Sequence, residues 1–400
     1  MRVAEVPAGA GEADDPPVPA GPQVKNTVTV SAKTDMVVLA KTISGGVHHH
    51  GWRSPRVLLI GAAAGAMLLV VALVLVRWLT DSGALPATGN PLAPPATARE
   101  TGILSGHTGM ITGMKFSGNG QVLATASMDK TVRLWDAPNH RELGTLATGL
   151  VNPNGVAVSQ DGRTVAVAPS GRGVQLWDVA SRKQLGESLS ETEGMRGMPI
   201  MAMAVEFSPD SRLLAVGELS GQVRLWDVAS HRRVGKPLVG HTSGVFAMAF
   251  SADGRVLATS GGNATVRLWD VTSYQQLGQL PLGSFGFVQS LALSPDGRTL
   301  ACAVSGLNTQ LWDVASRQRL GEPINNSATS LGFSSDGKRL VTASAGQGVQ
   351  LWDVASREPR GDPIGSNPAA THVSYSPVGQ TLATGMLDNS VRLWDMTGLG

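Results

Sequence analysis

From about residue 110 onward, short apolar runs alternate with polar turns. VLATAS at 122–127 is one such run, too short for a helix and suited to a buried strand. The turns share a pattern: SGNG from Ser117, SQDG from Ser159, SPDS from Ser208, SADG from Ser251, SPDG from Ser294, SSDG from Ser334 and SPVG from Ser376. Glycine accepts positive φ and Asp or Asn hydrogen-bonds its own backbone, so these predict hairpins. Each apolar strand after the turn leads to a strand reading VRLWD or VQLWD, and then to a fourth such as RKQLGESL, RRVGKPLV or RQRLGEPI. The Asp after each Trp is placed to fold back onto the following amides and end its strand.

The first hundred residues follow other rules. Residues 1 to about 24 are rich in Pro, Gly, Ala and acids, with too little bulky apolar surface to offset ordering entropy, so they predict disorder. From Lys25 to Gly46 a loose alternation of β-branched residues suits one or two short strands. Together, 1–56 reads as a disordered, partly β-rich region. Val57–Val76 is an uncharged run of apolar residues and glycines, and a helix of that length crosses a bilayer of about 30 Å. It predicts one transmembrane helix within 57–79. Lys41, Arg53 and Arg56 precede it, while Arg77 alone follows closely, which places the N-terminus in the cytoplasm and the rest outside. Gly61 and Gly65 form a small-xxx-small pair through which two helices could approach as a homodimer, although glycine is common in such helices anyway. Residues 80–98 form a Pro, Ala and Gly linker. Its LPATG at 85–89 resembles the sortase pentapeptide but stands ahead of a long domain, so it reads as coincidence.

Leu-Trp-Asp occurs seven times, with tryptophans at Trp135, Trp177, Trp226, Trp269, Trp312, Trp352 and Trp394, at intervals of 42, 49, 43, 43, 40 and 42 residues. That period suits a unit of four short strands. These residues resemble the WD40 family over roughly 99–397, and the resemblance implies an all-β, seven-bladed WD40 β-propeller, preceded here by the disordered region and the transmembrane helix. After Trp394 the chain runs only through MTGLG, without a seventh fourth strand, while RETGILSG at 99–106 matches RELGTLATG at 141–149. Residues 99–106 are therefore expected to complete the final blade and close the ring of the 99–400 domain.

In the WD40 family a hydrogen-bonded set of His, Ser or Thr, Asp and Trp often locks a blade. Matching by position, the resemblance assigns His107, Thr125, Asp129 and Trp135 to blade one, and His241, Thr259, Asn263 and Trp269 to blade four. Blade seven has Thr384, Asp388 and Trp394, with Ser366 at the His position. Met198 stands at the His position of blade three, and Gly171, Gly306 and Gly346 at the Asp positions of blades two, five and six. Blades two, three, five and six are thus expected to rely on apolar stacking alone. Cys302, at the Ser/Thr position of blade five, reads as a small buried filler.

Composition narrows the function. Net charge is +2 and aromatics make up 4%, so nothing calls for nucleic acid. The single cysteine excludes an intrachain disulfide. No nucleophile elbow, Walker A loop, His-Glu-x-x-His or dinucleotide fingerprint is present, so no catalytic residue, metal ligand or cofactor is nominated. His48, His49 and His50 are consecutive; on a strand they would point to opposite sides, so they read as solvated residues rather than a metal site. The surrounding SGGVHHHG resembles a short β-rich segment of actinobacterial signalling proteins, and a bacterial source is expected.

Features shared by all repeats are explained by blade geometry, so selectivity belongs to the exceptions. The 49-residue interval places extra residues near Glu191, Glu193, Met195 and Arg196, leading into blade three, and the connection into blade five carries Phe285 and Phe287. Both read as candidate contacts for a protein or peptide partner; against this stand an idle surface loop and simple packing between blades. The expected function is a non-catalytic, membrane-anchored interaction scaffold. The alternatives are an extracytoplasmic ligand sensor or hydrolase using the central channel, and a signalling scaffold facing the cytoplasm.

Overall fold

A computed structural model describes residues 98–146, 153–170, 173–189, 201–283, 286–365 and 369–399. The N-terminal region, Gly61, Gly65 and the rest of the expected membrane span, and most of the linker lie outside the described residues. Among the described residues no helix is long and apolar enough to cross a membrane.

The strands form seven antiparallel sheets. Blade one comprises Ile111–Phe116, Val122–Ser127, Val132–Asp136 and Arg141–Leu146; blade two Pro153–Val158, Thr164–Pro169 and Gln175–Asp178; blade three Ala202–Phe207, Leu213–Glu218, Gln222–Asp227 and Arg232–Val239. Blade four is Val245–Phe250, Val256–Gly261, Thr265–Asp270 and Gln275–Pro281; blade five Val288–Leu293, Thr299–Val304 and Thr309–Asp313; blade six Ser330–Phe333, Arg339–Ser344, Gly348–Asp353 and Pro359–Ile364. Blade seven takes Ala370–Tyr375, Thr381–Met386 and Val391–Asp395 from the end of the repeats, and Arg99–Leu104 from their start. This last strand pairs in register from Arg99↔Asp395 to Leu104↔Val391, with a bulge after Glu100.

Second strands are buried almost throughout and read as unbroken apolar runs because both faces are covered. What covers them is the neighbouring blade. The core divides into seven apolar clusters, each shared by two adjacent blades. The seam between blades seven and one is filled like the others: Leu104, Val391 and Leu393 meet Ile111, Phe116 and Trp135. First strands pack side by side around the ring, and that of blade seven touches those of both six and one. Side-chain hydroxyls cross these inner seams to backbone groups of the next blade. Thr112 donates to the Pro153 carbonyl at 3.1 Å, Thr329 to that of Thr371 at 2.7 Å, and the Val373 amide donates to Ser330 Oγ at 3.1 Å. Main-chain groups left bare at the inner edge thereby gain partners.

Two kinds of turn lie at one end of the ring. Between first and second strands, Ser159 Oγ donates to Asp161 Oδ1 at 2.6 Å, which also accepts the Arg163 amide at 3.0 Å; blades three to six repeat this with Asp210, Asp253, Asp296 and Asp336. Between third and fourth strands, Asp178 accepts the Ser181 amide at 2.7 Å, and Asp227, Asp270, Asp313 and Asp353 do likewise. The next residue has positive φ in six blades: His140, Arg182, His231, Tyr274, Arg317 and Arg357. Each lays its side chain over a glycine in the fourth strand of the preceding blade: Gly102, Gly144, Gly186, Gly235, Gly278 and Gly321 respectively. Arg182 also donates to the Leu143 carbonyl at 2.7 Å. Six clasps thus tie neighbouring blades at the outer rim.

Blades two and five depart from the expectation of four full strands. Their fourth segments pair only at isolated bridges, Val174↔Leu189 and Trp177↔Gln184 in one, Thr309↔Ile324 and Trp312↔Arg319 in the other. Gly186 and Gly321 there have φ of 65° and 66°, but Gly235 and Gly361 have 67° in the fourth strands of blades three and six, which stay paired across a bulge, so the left-handed glycine by itself does not end the ladder.

Truncating Leu104, which is 2% exposed, to Ala is expected to cost about 2–5 kcal/mol, read as a lower urea midpoint of the propeller transition. Gly235→Ala combines a φ of +67° with a Cβ that would run into the Tyr274 ring, and is expected to cost about 1–3 kcal/mol in the same assay; Tyr274→Ala in the same chain should recover part of it.

Candidate functional site

Chemistry-bearing side chains fall into two groups: polar chains inside the blades, and an aromatic cluster at the end opposite the clasps.

The complete polar chain is in blade one. Trp135 Nε1 donates to Thr125 Oγ1 at 2.9 Å, Thr125 Oγ1 lies 2.7 Å from His107 Nε2, and His107 Nδ1 lies 2.8 Å from Asp129 Oδ2. Trp can only donate and an ionised Asp can only accept, so the direction is set: the Thr hydroxyl donates to Nε2, and Nδ1 carries the proton given to Asp129. Burial works against the ionised Asp129 carboxyl, but hydrogen bonds from Thr131, His107 and the Thr108 amide outweigh it and hold the group at about 2. Burial also pulls His107 below its ordinary value, opposed by Asp129.

Blade four keeps the inner part. Trp269 Nε1 donates to Thr259 Oγ1 at 2.8 Å, which lies 2.7 Å from His241 Nε2. Asn263 does not continue the chain: its amide donates to Thr242 Oγ1 at 3.1 Å, and its oxygen accepts from Thr265 at 2.6 Å. Without a carboxylate partner, burial and then the Arg267 charge bring His241 down to about 4. In blade seven Trp394 Nε1 donates to Thr384 at 2.9 Å, and Asp388 accepts from the Ser390 amide and hydroxyl as Asp129 does from Thr131, but with Ser366 at the His position its other oxygen pairs with Arg392 at 3.5 Å.

Blade six corrects the expectation of apolar stacking alone. Trp352 Nε1 donates to Thr342 Oγ1 at 2.9 Å, Asn326 Nδ2 donates to the same oxygen at 2.8 Å, and Thr309 of blade five donates to Asn326 Oδ1 at 2.8 Å. Asn326, 5% exposed, does the work of the histidine and joins two blades as well. Its distance to Thr342 is two residues shorter than His107 to Thr125, which hides it from positional matching. Blade three holds another polar element, a buried Glu218–Arg224 ion pair, while in blade two Trp177 Nε1 reaches Gln175 at 3.3 Å. Val167, Val216 and Cys302 occupy the position that Thr125 holds in blade one, opposite the residue two before the tryptophan: Gln175, Arg224 and Gln310. The Trp226 and Trp312 indole nitrogens accordingly have no hydrogen-bond partner among the described residues. Cys302 is fully buried, and burial pushes its thiol up.

The aromatic cluster sits where first strands begin. Phe287 meets Phe246 of blade four, ring centroids 6.1 Å apart and planes inclined by 58°. The Phe287 carbonyl accepts the Ser305 amide at 2.8 Å, anchoring the segment to the second-to-third turn of blade five. That turn carries Leu307, 47% exposed, and the matching turn of blade seven carries Leu387, 41% exposed. Among the described residues the charges at this end include Lys130, Asp129 bound to His107, Glu218 paired with Arg224, and Asp388 paired with Arg392. The other end carries the Asp that follows each repeat tryptophan and, in blades two to six, a second Asp followed by Arg or Lys in the first-to-second turn. Phe285 and the interval Glu191, Glu193, Met195 and Arg196 lie outside the described residues, as do Met198, Ser366 and the His48–His50 run. No group of three or more metal-ligating side chains forms among the described residues.

The WD40 family, described as "WD domain, G-beta repeat", matches five segments: 98–136, 187–227, 232–270, 320–353 and 363–395. They cover the first three strands of blades one, three, four, six and seven. The first three strands of blades two and five, whose fourth strands shrink to bridges, are unmatched. A stretch of 52 residues is 44% identical to Protein Mut11 of Chlamydomonas reinhardtii, covering 13% of this chain and 14% of that protein. The chain thus spans about a seventh of that relative's length.

A histidine held below its ordinary value stays neutral in the folded ring while the unfolded chain takes up a proton, so it favours unfolding as pH falls from about 6.5. For His241 the loss runs from 6.5 down to about 4; Asp129 adds stability above its ordinary 3.8 that disappears as pH falls toward about 2. Urea titrations between pH 7 and 4 should show stability falling with pH, and His241→Gln should flatten that slope by close to one proton. An unchanged slope would contradict the assignment.

Proposed function

On a seven-bladed propeller of WD40 repeats, we propose a membrane-anchored protein–protein interaction scaffold that performs no chemistry of its own. The anchor is the apolar run Val57–Val76, with the N-terminus in the cytoplasm and the propeller outside a bacterial cell; Gly61 and Gly65 would let two such helices pair. The observation that supports binding most is the contrast between the two ends of the ring. Interface centres are depleted in charge and enriched in aromatic residues, and the end carrying Phe246, Phe287, Leu307 and Leu387 has that character while the clasp end does not. A rigid ring holds this surface in shape, so little ordering cost falls on binding. By its place in the sequence the interval 191–196 belongs to the connection into blade three, outside the described residues.

Proximity labelling from the propeller compares the wild type with a chain lacking Glu191–Arg196 and with Phe287→Ala. Both variants are expected to lose a common subset of labelled proteins while keeping the wild-type melting transition. Unchanged labelling would defeat the assignment of this end. A C-terminal reporter active only outside the membrane should be active; an inactive one places the propeller in the cytoplasm.

A further inference from the structure

The turns between first and second strands form a ring of seven at the clasp end, and their third position is Asp in blades two to six, Asn119 in blade one and Val378 in blade seven. Neighbouring blades bring two such turns side by side, and grooves open between those of blades seven and one and those of blades three and four. In six pairs at least one turn supplies a carboxylate. Between blades seven and one, neither does.

That exception coincides with a cavity of about 420 Å³, within the size of sites that hold a ligand. Val378 takes the place of the self-capping Asp, is 48% exposed, and rests against Gly120 of blade one. With the carboxylate gone, Ser376 Oγ donates instead to the Val378 carbonyl at 2.6 Å. Phe116, Pro138 and Val378 form the apolar part of the lining, Gln121 and His140 are among its polar members, and Asp395 carries its one permanent charge. Hydrogen bonds from Thr397 hold the Asp395 carboxyl below its usual range, so it is ionised at neutral pH. The groove between blades three and four is an internal comparison. It holds about 310 Å³, and there Asp210 and Asp253 stand on its two sides, each satisfied by its own turn.

We propose that the cavity between blades seven and one is a second binding site, which takes an apolar side chain of a partner peptide with a basic residue next to it. The apolar group enters between Val378, Phe116 and Pro138, and the cation meets Asp395. The site faces the end opposite the aromatic cluster, so it stands or falls independently of the function proposed above. Nothing in the blade geometry requires Val378: five blades place Asp at this position and blade one places Asn.

The test uses the full chain and two probe peptides, acetyl-Phe-Lys-amide and acetyl-Phe-Glu-amide, followed by saturation-transfer NMR on the peptide ring protons. The Lys peptide is expected to bind at least five-fold more tightly than the Glu peptide. Val378→Asn, which installs the blade-one residue without changing charge, should weaken the Lys peptide at least five-fold with an unchanged melting temperature. Asp395→Asn should remove the preference between the peptides. Equal affinity of the two peptides for the wild type, no effect of Val378→Asn, or no binding at 10 mM peptide would each overturn the proposal. Binding of phenethylamine without the dipeptide would also overturn it, since the site would then select a free amine.

Discussion

A propeller blade has two apolar faces and no means of covering either by itself. This constraint organises the protein. A sheet with both faces greasy is stable only between two others like it, and a finite row of such sheets leaves two faces bare unless the row bends into a ring. The seven clusters of buried residues are the result: none belongs to a single blade. Closing the row then depends on a strand from the start of the repeats lying beside Val391–Asp395, so that the last sheet presents Leu104 to the first.

Because the apolar seams supply the bulk of the cohesion, the polar chains inside the blades are free to vary. Blade one has a full sequence from Trp135 to Asp129, blade six substitutes an asparagine, and blade five has none. Blades three and five, where Val216 and Cys302 replace Thr, have neither the hydroxyl nor a His at the matching position, whereas blade seven keeps Thr384 with Ser366 at the His position. Replacing both ends of a buried hydrogen bond by apolar groups can be nearly neutral, whereas removing one end strands the other. What remains stranded is the indole N–H of Trp226 and Trp312, retained because the ring itself fills the seam between blades.

The same tolerance lets the two ends of the ring differ. Charged side chains are spent on turns at the clasp end, where Asp caps its own backbone and Arg, His or Tyr lies over the neighbour's glycine. The opposite end, relieved of that duty, carries aromatic and aliphatic groups. Exceptions to the repeat, Phe246 with Phe287 at one end and Val378 at the other, mark where the ring has features that its own stability does not require.

Much of this was legible in the amino-acid order. A tryptophan every 43 residues or so, hairpin turns with Gly at a set position, and the likeness of 99–106 to 141–149 led to seven blades and a shared closing sheet, because period and turn chemistry are local properties of a chain. The set of Thr125, His107 and Asp129 was what the WD40 resemblance implied, matched position by position, and the hydrogen bonds bear it out in blade one. Other features arose only when distant segments met. Asn326 reaches Thr342 from a different spacing, Asn263 and Asp388 bond to neighbours other than a histidine, and the fourth segments of blades two and five pair only at isolated bridges. The clasps pair a residue with a glycine about forty positions earlier, and Phe287 finds its partner in the preceding blade. Order along the chain determines which strands exist and how often; which side chains touch across a seam is decided by packing, since contacts between blades depend on distances that no repeat carries within itself.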